Sequence, residues 1–204
     1  MKLVVFGASG GTGRHIVRLA LDQGHEVTAF TRNLANITMT HERLRVVQGD
    51  VLDAEVVEGA VRGQDAVLCS LGTMERGPST VVSEGTRNII AAMEGNGVGR
   101  FVCLSSAGII GGELGFFFDR VIAPRVFKHV FADKRRQLEV MRQSSVDWVL
   151  VRPPELTDDP GTGKYEVRFD RVASRKIPRA DVADFMVKQL DDDGYVHKMP
   201  LVSS

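Results

Sequence analysis

The chain has 204 residues, of which 43% are hydrophobic and 25% are charged, as is usual for a globular protein about one domain in length. Lysine plus arginine and aspartate plus glutamate both number 26, so the formal net charge is zero. This balance argues against nucleic acid or an anionic membrane as the main partner, and no apolar stretch reaches the ~20 residues that span a bilayer.

Apolar segments of strand length alternate with amphipathic segments of helix length. The predicted strands are Lys2–Phe6, Glu26–Arg32, Leu44–Gln48, Ala66–Leu71, Arg100–Leu104 and Trp148–Arg152. The predicted helices are Thr12–Gln23, Ala54–Val61, Ser79–Asn96 and Leu114–Ser144, the last interrupted near Pro124. This alternation predicts a parallel sheet with helices on both faces. We expect an α/β protein with a single-domain Rossmann fold over residues 1–204, built on a doubly wound parallel sheet of six to seven strands.

The pattern weakens after Arg152. The Pro/Gly/Asp-rich segment Pro153–Gly163 predicts a loop. Ile177–Leu190 predicts the end of a strand followed by a helix capped by Asp181, and Val196–Val202 predicts a last strand.

The two cysteines, Cys69 and Cys103, lie inside apolar runs, which predicts core thiols rather than a disulfide or a metal pair. Such thiols fit a reducing compartment, and no charged and apolar leader precedes the first strand, so we expect a cytoplasmic protein. The five histidines are scattered without the spacing of metal ligands, so we expect no metal site.

The segment GASGGTG follows the first predicted strand directly and opens the first predicted helix. It places Gly7, Gly10 and Gly13 at G-x-x-G-x-x-G spacing. In dinucleotide-binding folds, such glycines permit a sharp turn, close approach of the backbone to a pyrophosphate and close packing of helix on strand. The helix N-terminus attracts phosphate, and Ser9 and Thr12 add hydroxyl groups. The segment predicts a dinucleotide site; the alternative is a glycine-rich turn without a ligand.

The second predicted strand ends in Thr31–Arg32–Asn33 and carries no acidic residue there. NAD-preferring folds usually place Asp or Glu at this point to hold the ribose 2′-hydroxyl. An arginine instead favours a 2′-phosphate, because its guanidinium can bond the phosphate in a bidentate manner and stack on adenine. Arg32 therefore predicts NADP(H) as the cofactor; the alternative is an ordinary surface arginine.

Further candidates follow other strands, at the carboxyl ends where an open α/β sheet binds its ligand. Asp50 can accept a hydrogen bond from the adenine amino group, and Val51 can pack on the adenine ring. The segment Leu71–Gly72–Thr73 is expected to pass the cofactor ribose. Ser105 and Ser106 are expected to face the nicotinamide.

Six segments, in this order, resemble the atypical short-chain dehydrogenases with a stand-alone NAD(P)H-binding domain: GASGGTG, QGDVLD, GQDAVLCSLGT, SEGTRNIIAAM, LSSAG and VRPPELTDDPGTGKY. Within that group, the chain resembles the flavin reductase (NADPH) family, also called biliverdin-IXβ reductases, from Met1 to about Asp184. The resemblance implies a monomeric Rossmann domain with NADPH as donor and flavins, biliverdins or similar dyes as acceptors. It also implies that Gly10, Gly11, Thr12, Gly13, Arg32, Asp50, Val51, Gly72, Thr73 and Ser106 bind the cofactor.

The chain differs from that family in two places. Glu155 stands where the reductases have a histidine after the Pro-Pro pair, and the apolar capping segment Gly115–Phe118 reads GFFF. The predicted cofactor-binding residues are, together, Gly7, Ser9, Gly10, Gly11, Thr12, Gly13, Arg32, Asp50, Val51, Leu71, Gly72, Thr73, Ser105, Ser106 and Pro153.

The Tyr-x-x-x-Lys motif, in which typical short-chain dehydrogenases use tyrosine as a general acid, is absent. Phe169 and Met199 stand four positions after Tyr165 and Tyr195. Exchange between alcohol and carbonyl therefore lacks its usual proton donor. Flavin reduction demands less, because the protein must mainly hold two flat rings face to face and the proton can come from water.

Three residues are candidates for a catalytic role. Ser106 matches the active-site serine of the resembled family. Lys134 can reach the nicotinamide ribose or an acceptor carboxylate, unless it belongs to a solvated face. Glu155 follows Pro153–Pro154, where the nicotinamide is expected; burial there would raise its pKa and let it donate a proton. The alternative for Glu155 is a surface loop.

Ile109, Ile110, Phe116, Phe117 and Phe118 form an apolar segment over the predicted cleft. Aromatic side chains there can stack on a planar acceptor. The alternatives are core packing and a dimer contact, so we expect a monomer and keep a homodimer as the second option.

The function predicted from these features is an NADPH-dependent oxidoreductase that transfers hydride to a planar conjugated acceptor, such as a flavin, biliverdin or a quinone-like compound. The first alternative is a non-catalytic NADP-binding redox sensor. The second is an isomerase or epimerase acting on a sugar nucleotide, for which the short chain leaves little room.

Overall fold

Six parallel strands form the central sheet of the computed structural model, which describes residues 1–73, 77–116, 120–121 and 123–204. They are β1 (Lys2–Phe6), β2 (Glu26–Thr31), β3 (Leu44–Gln48), β4 (Ala66–Cys69), β5 (Arg100–Leu104) and β6 (Asp147–Val151). Their order is β3-β2-β1-β4-β5-β6, and neighbouring strands are parallel. The order reverses between β1 and β4, as in a doubly wound Rossmann fold. The fold prediction is confirmed, and each of these strands lies within two residues of its predicted bounds.

Helices cover both faces of the sheet. The described helices are α1 (Gly11–Asp22), α2 (Ala54–Val61), α3 (Val81–Asn96), α4 (Ala123–Val126), α5 (Lys128–Arg142) and α6 (Arg179–Lys188). Successive residues of β1 alternate between two cores: Leu3 and Val5 pack with α1 and α6, whereas Val4 and Phe6 pack with α2, α3 and α5. A sheet buried on both faces requires such uninterrupted apolar strands. None of the described helices is both long and apolar enough to cross a lipid bilayer.

The C-terminal third adds two small two-stranded sheets. A parallel pair joins β7 (Glu155–Thr157) to β9 (Lys176–Pro178), and an antiparallel pair joins β8 (Glu166–Arg168) to β10 (Leu201–Ser203). The prediction of an unbroken loop over residues 153–163 is therefore wrong at β7. Strands of three residues are too short to give a recognisable periodicity.

Two other predicted boundaries are corrected. The predicted last strand is shorter than expected, since β10 begins only at Leu201. Residues 197–200 instead run beside β6, where Leu150 N donates to Lys198 O at 3.1 Å. Asp181 does not cap α6, which begins at Arg179; it lies buried in the first turn and accepts hydrogen bonds from the N–H groups of Thr162 and Gly163 at 2.8 and 2.9 Å. Asp181 thus anchors the preceding loop to the helix.

The helical segment predicted from Leu114 begins later, because glycines interrupt it. Gly111, Gly112 and Gly115 have φ values of 88°, 80° and 99°, in the left-handed region that favours glycine. Leu114 lies in a bend between them. The loop after β5 is therefore an irregular segment rather than the first turns of a long helix.

A buried carboxylate joins α5 to α3. Asp133 is fully buried and accepts hydrogen bonds from Val82 N at 3.0 Å and Ser83 N at 3.2 Å, as well as from the Ser83 hydroxyl. Arg136 lies 3.3 Å from the same carboxylate. The unpaired N–H groups and the positive end of the α3 dipole thus meet a negative charge that a neighbouring helix supplies. This contact fixes α5, which also carries Lys134.

Replacing Asp133 with alanine is expected to lower the free energy of unfolding by about 3 kcal/mol, because buried donors lose an ionised acceptor. Asp53→Ala is a matched control: Asp53 caps α2 through the N–H groups of Glu55 and Val56 but is exposed, so its loss is expected to cost about 1 kcal/mol. Urea unfolding followed by circular dichroism measures both. Equal losses in the two variants would show that burial adds nothing to the contribution of the Asp133 carboxylate.

Candidate cofactor site

The glycine turn between β1 and α1 is closely packed. Gly7 has a φ of 74°, and a Cβ atom placed there would lie 2.7 Å from Ser70 O. A Cβ atom on Gly13 would lie 2.1 Å from Gly7 O. Neither position accepts a side chain unless the backbone shifts. These contacts hold the start of α1 against the ends of β1 and β4, where the strand order reverses.

The N-terminus of α1 fits an anionic ligand. Its N-cap is Gly10, no side chain among the described residues caps it, and its first turn holds no acidic residue. By contrast, Asp53 caps α2 and Asp133 meets the start of α3. The first N–H groups of an α-helix have no partner within the helix. Together with the helix dipole, those of α1 can hold the diphosphate of a nicotinamide dinucleotide.

Arg32 lies beside this turn, one residue beyond β2. Thr31 Oγ1 donates to Asn33 O at 3.1 Å and lies 3.3 Å from Ser9 Oγ, which connects the glycine turn to the end of β2. The side chain of Gln48 donates to the Arg32 carbonyl at 3.2 Å. The Arg32 side chain is exposed, and within the described part of the chain its guanidinium has no ionic partner. It is therefore available to a phosphate group.

The ends of β3 and β4 border the same crevice. Asp50 Oδ1 accepts a hydrogen bond from Leu52 N at 2.9 Å, and its exposed carboxylate retains the other oxygen for a ligand. Val51 is only 4% exposed and packs in the core, where a Cβ atom on Gly85 would touch it. Little of Val51 is thus left to contact an adenine ring. Residues 71–73 are half-buried to exposed.

The end of β5 carries an unusual hydroxyl. Ser105 N donates to Val151 O and Ala107 N donates to Pro153 O, both at 2.7 Å, so the pairing with β6 continues beyond the strands. Ser105 Oγ is buried and has no hydrogen-bond partner among the described residues. Such groups are uncommon and call for an explanation. A ligand bound at this edge of the sheet would give Ser105 Oγ a partner. Ser106 beside it is half-buried, and its hydroxyl donates to Ala107 O at 3.1 Å.

The side chain of Lys134 extends from α5 to the end of β5. Its Nζ donates to Ser105 O at 2.8 Å, so α5 presents it to the cleft rather than to a solvated face. Burial lowers the pKa of Lys134 to about 8, although the nearby Asp133 carboxylate acts in the opposite direction. The residue four positions earlier, where the Tyr-x-x-x-Lys motif has its tyrosine, is Val130.

Both tyrosines lie elsewhere. The Tyr165 hydroxyl donates to Asp184 at 2.7 Å and accepts from Lys188 at 3.2 Å, and burial raises its pKa to about 12. The Tyr195 ring packs edge-on against Phe185. Both residues belong to the core on the α1 and α6 face, whereas α5 covers the opposite face of the sheet. Neither tyrosine can therefore serve as a proton donor beside Lys134.

Burial distinguishes the alternatives for two predicted site residues. Glu155 opens β7 with a side chain that is 66% exposed and lies 3.7 Å from Lys176 Nζ. The burial that a proton-donating carboxyl would need is absent, so of the two alternatives for Glu155 the structure favours a surface residue. Ile109 is 2% exposed and belongs to the core, while its carbonyl accepts from Arg135 Nε at 2.6 Å. Ile109 is therefore a packing residue rather than a substrate contact.

The rest of the predicted substrate segment is only partly described. Phe116 is 81% exposed, and Ile110 is 54% exposed. Phe117 and Phe118 lie outside the described residues. Among the described residues of this segment, Ile110 and Phe116 are the exposed apolar side chains.

A buried ion pair, which was not predicted from the sequence, joins this loop to the end of β6. Arg152 and Glu113 are 1% and 5% exposed, and their charged groups are in contact at the end of β6. Arg152 Nε also donates to Met199 O at 3.0 Å, and Glu113 accepts from Gly108 N at 2.7 Å. Burial lowers the pKa of Arg152, and the Glu113 carboxylate counteracts this. The sequence signal was an arginine directly after the apolar run WVLV.

Residues 7–193 match the protein family described as NAD(P)H-binding. The chain belongs to this family. Binding of NAD(P)H is thereby confirmed.

The chain is similar in sequence to two proteins of different kinds. It is 33% identical over 190 residues to a 3 beta-hydroxysteroid dehydrogenase/Delta 5-->4-isomerase from Mycobacterium tuberculosis, with 84% of this chain and 51% of the relative covered. It is 28% identical over 200 residues to an uncharacterised chloroplastic protein from Arabidopsis thaliana, with 93% and 71% covered. The chain thus spans about half the length of the mycobacterial enzyme.

Solved structures share the fold. A short-chain dehydrogenase/reductase from Veillonella parvula, in complex with NADP, has a TM-score of 0.86 at 20% identity and covers 100% of this chain and 94% of its own. The anaerobilin reductase ChuY from Escherichia coli O157:H7 has a TM-score of 0.84 at 23% identity, with 100% and 97% covered. At these identities the likeness establishes the fold alone.

The lowered pKa of Lys134 predicts a pH dependence of stability. In the folded chain Lys134 loses its proton at about pH 8, whereas the unfolded chain keeps it up to the ordinary value of 10.5. The unfolded state therefore binds more protons between these values, and stability rises with pH there. Across that window, wild type should gain about 3 kcal/mol relative to Lys134→Met.

Urea unfolding of both proteins from pH 7 to pH 10 measures this difference. Lys128→Met, at an exposed position on the same helix, is the control: it keeps Lys134, so its stability should rise with pH as that of wild type does. A difference between wild type and Lys134→Met that stays constant with pH would contradict the lowered pKa.

Proposed function

We propose that this NAD(P)H-binding protein is an NADPH-dependent reductase that transfers hydride to a flat conjugated acceptor, such as a flavin, a linear tetrapyrrole or a quinone. The observation that carries the proposal is the placement of Lys134 and Ser105 at the end of β5, with Val130 where a proton-donating tyrosine would stand. Reduction of a carbonyl to an alcohol needs a donor at that place. A conjugated ring can take hydride while its proton comes from water.

The chain's own contribution is binding and orientation. The glycine turn and the α1 N-terminus hold the diphosphate, and Ser105 and Ser106 orient the ring at the end of β5. The bound nicotinamide supplies the hydride. With a pKa of about 8, Lys134 Nζ is cationic at neutral pH and can attract an anionic acceptor or hold a proton for it. Positioning of this kind supplies much of the rate in such reactions.

Exposed apolar side chains support a planar acceptor. Ile110 and Phe116, 54% and 81% exposed, lie in the loop that the buried pair Arg152–Glu113 holds in place. An open pocket of about 470 Å³ beside Ile110 is lined by Phe169 and Met199 and by the polar residues Arg152, His197 and Lys198. None of the predicted cofactor-binding residues lines it, so the apolar surface that supports the proposal is that of Ile110 and Phe116. Flat, mainly apolar ligands use such surfaces.

The names of two similar proteins favour different acceptors. ChuY is an anaerobilin reductase, which favours a tetrapyrrole acceptor. The mycobacterial relative is a hydroxysteroid dehydrogenase, which favours an alcohol or ketone. Val130, in place of the tyrosine that such a reaction uses, makes the first class the better match.

The second candidate function is an NADP-binding redox sensor without turnover. It is favoured by Glu155, which stands where the resembled reductases have a histidine and whose side chain is 66% exposed. A sensor would bind the cofactor tightly and release or recruit a partner as the cofactor changes its redox state.

The proposed activity can be tested by following NADPH oxidation at about 340 nm, the absorption band of the reduced nicotinamide. Acceptors would be flavin mononucleotide, riboflavin, biliverdin and a quinone, with a 3-ketosteroid for comparison. We expect turnover with at least one planar acceptor and none with the steroid. Lys134→Met should lower kcat about 10-fold or more, and Lys128→Met should not change it. Tight NADPH binding without turnover of any acceptor would refute the reductase and favour the sensor.

The preference for NADPH is assigned to Arg32. Arg32→Ala is expected to weaken NADPH binding by about 10-fold or more, because a charge-assisted contact with the 2′-phosphate is lost. NADH lacks that phosphate and keeps only the adenine that Arg32 can stack on, so its affinity should fall much less. Titration of nicotinamide fluorescence with both cofactors measures the ratio, and Arg14→Ala, at an exposed position on α1, is the control. Equal weakening of both cofactors would contradict this assignment.

A further inference from the structure

Arg179, the first residue of α6, lies directly over the first residue of α1. A Cβ atom on Gly11 would come within 2.7 Å of both Cδ and Nε of Arg179. The end of the arginine side chain therefore occupies the space that any other residue at position 11 would fill. This contact explains why residue 11 is a glycine, although the backbone there is not in the left-handed region.

Packing brings Arg179 to this place without help from a ligand. β9 pairs with β7 so that Pro178 lies opposite Thr157, and α6 begins immediately afterwards. α6 then packs along α1 in one shared core, in which Val182 and Ile16 are both fully buried. The guanidinium is thus held at the α1 N-terminus by the fold itself.

The ion pair that Arg179 forms in this structure is with an exposed residue. Arg179 Nη1 lies 2.8 Å from Asp158 Oδ1, but the Asp158 side chain is 86% exposed. Ion pairs with such exposed partners contribute little to stability. A guanidinium has five N–H donors, so most of them remain for another acceptor. Beside Asp158, Thr157 Oγ1 is buried and has no hydrogen-bond partner within the described residues.

We propose that Arg179 binds the diphosphate of the nicotinamide dinucleotide, and that its guanidinium exchanges the exposed Asp158 carboxylate for the phosphates when the cofactor binds. The uncapped N–H groups of α1 and the Arg179 guanidinium then bind the same anion from adjacent positions. The inference depends on the NAD(P)H site and not on the proposed acceptor or on turnover.

Arg179 and Arg32 are assigned to different phosphates of the cofactor. The diphosphate is common to NADPH and NADH, whereas the 2′-phosphate assigned to Arg32 is present only in NADPH. Arg179→Gln should therefore weaken both cofactors by the same factor, about 10-fold. Its affinity for adenosine 2′-monophosphate, which has no diphosphate, should equal that of wild type.

Isothermal titration with NADPH, NADH and adenosine 2′-monophosphate tests this, and none of these measurements requires turnover. Arg168→Gln is the matched control, since Arg168 is an exposed arginine that pairs with Glu166 on β8. Circular dichroism and the melting temperature show whether each variant is folded. Affinities of Arg179→Gln for both dinucleotides within about twofold of wild type would overturn the proposal, and so would a loss confined to NADPH.

Gly11→Ala provides a second, independent test. The added methyl group meets only the flexible end of Arg179, so the chain should fold while the guanidinium is displaced. We expect Gly11→Ala to weaken dinucleotide binding to about the same degree as Arg179→Gln, and the double variant to be no weaker than either. Additive losses would show that the methyl group obstructs the cofactor directly and would overturn the coupling of Gly11 to Arg179.

Discussion

The close approach of Gly13 to the Gly7 carbonyl is the contact on which the rest of the site depends. With 2.1 Å between that oxygen and any Cβ atom at position 13, only glycine lets α1 lie so near the end of β1. The strand order reverses at this point, so the uncapped N-terminus of α1 lies over the crevice between β1 and β4. A wider separation would leave the same N–H groups facing water instead of a ligand. The position of α6, and with it Arg179, also follows from where α1 lies.

Charged side chains fix the opposite side of the site. Asp133 and Lys134 are neighbours in sequence, but successive residues of a helix point in different directions. Asp133 therefore meets the start of α3, while Lys134 reaches the carbonyl of Ser105. One helix both anchors itself and delivers a cation to the end of β5. The Arg152–Glu113 pair similarly anchors the loop that carries Ile110 and Phe116. Removing one partner of such a buried pair strongly destabilises the folded protein, because the other charge stays buried without a partner.

The parts that could be predicted from sequence are those in which a local pattern determines the structure. The glycine spacing and the apolar strands are local features, so the fold and the family were both accessible. The role of Lys134 was left open because a run such as DKRR does not reveal which cation faces the interior. The two alternatives for Glu155 also stayed open, because the direction of its side chain depends on β7, a strand too short to recognise. Arg179 could not be found, since its contact with Gly11 joins opposite ends of the chain through the packing of α1 and α6.

The distribution of positive charge connects these observations. The formal net charge of the chain is zero, so no overall field attracts an anionic ligand. Three cations nevertheless surround the carboxyl edge of the sheet: Arg32 beyond β2, Arg179 over the α1 N-terminus and Lys134 beneath the end of β5. A different element fixes each of them, and NADPH carries its own negative charges at separate points along its length. In the functions proposed above, Arg32 binds the 2′-phosphate, Arg179 binds the diphosphate and Lys134 serves the acceptor. Each cation thus has a different anionic partner, and only a ligand with both kinds of phosphate can engage the two arginines at once.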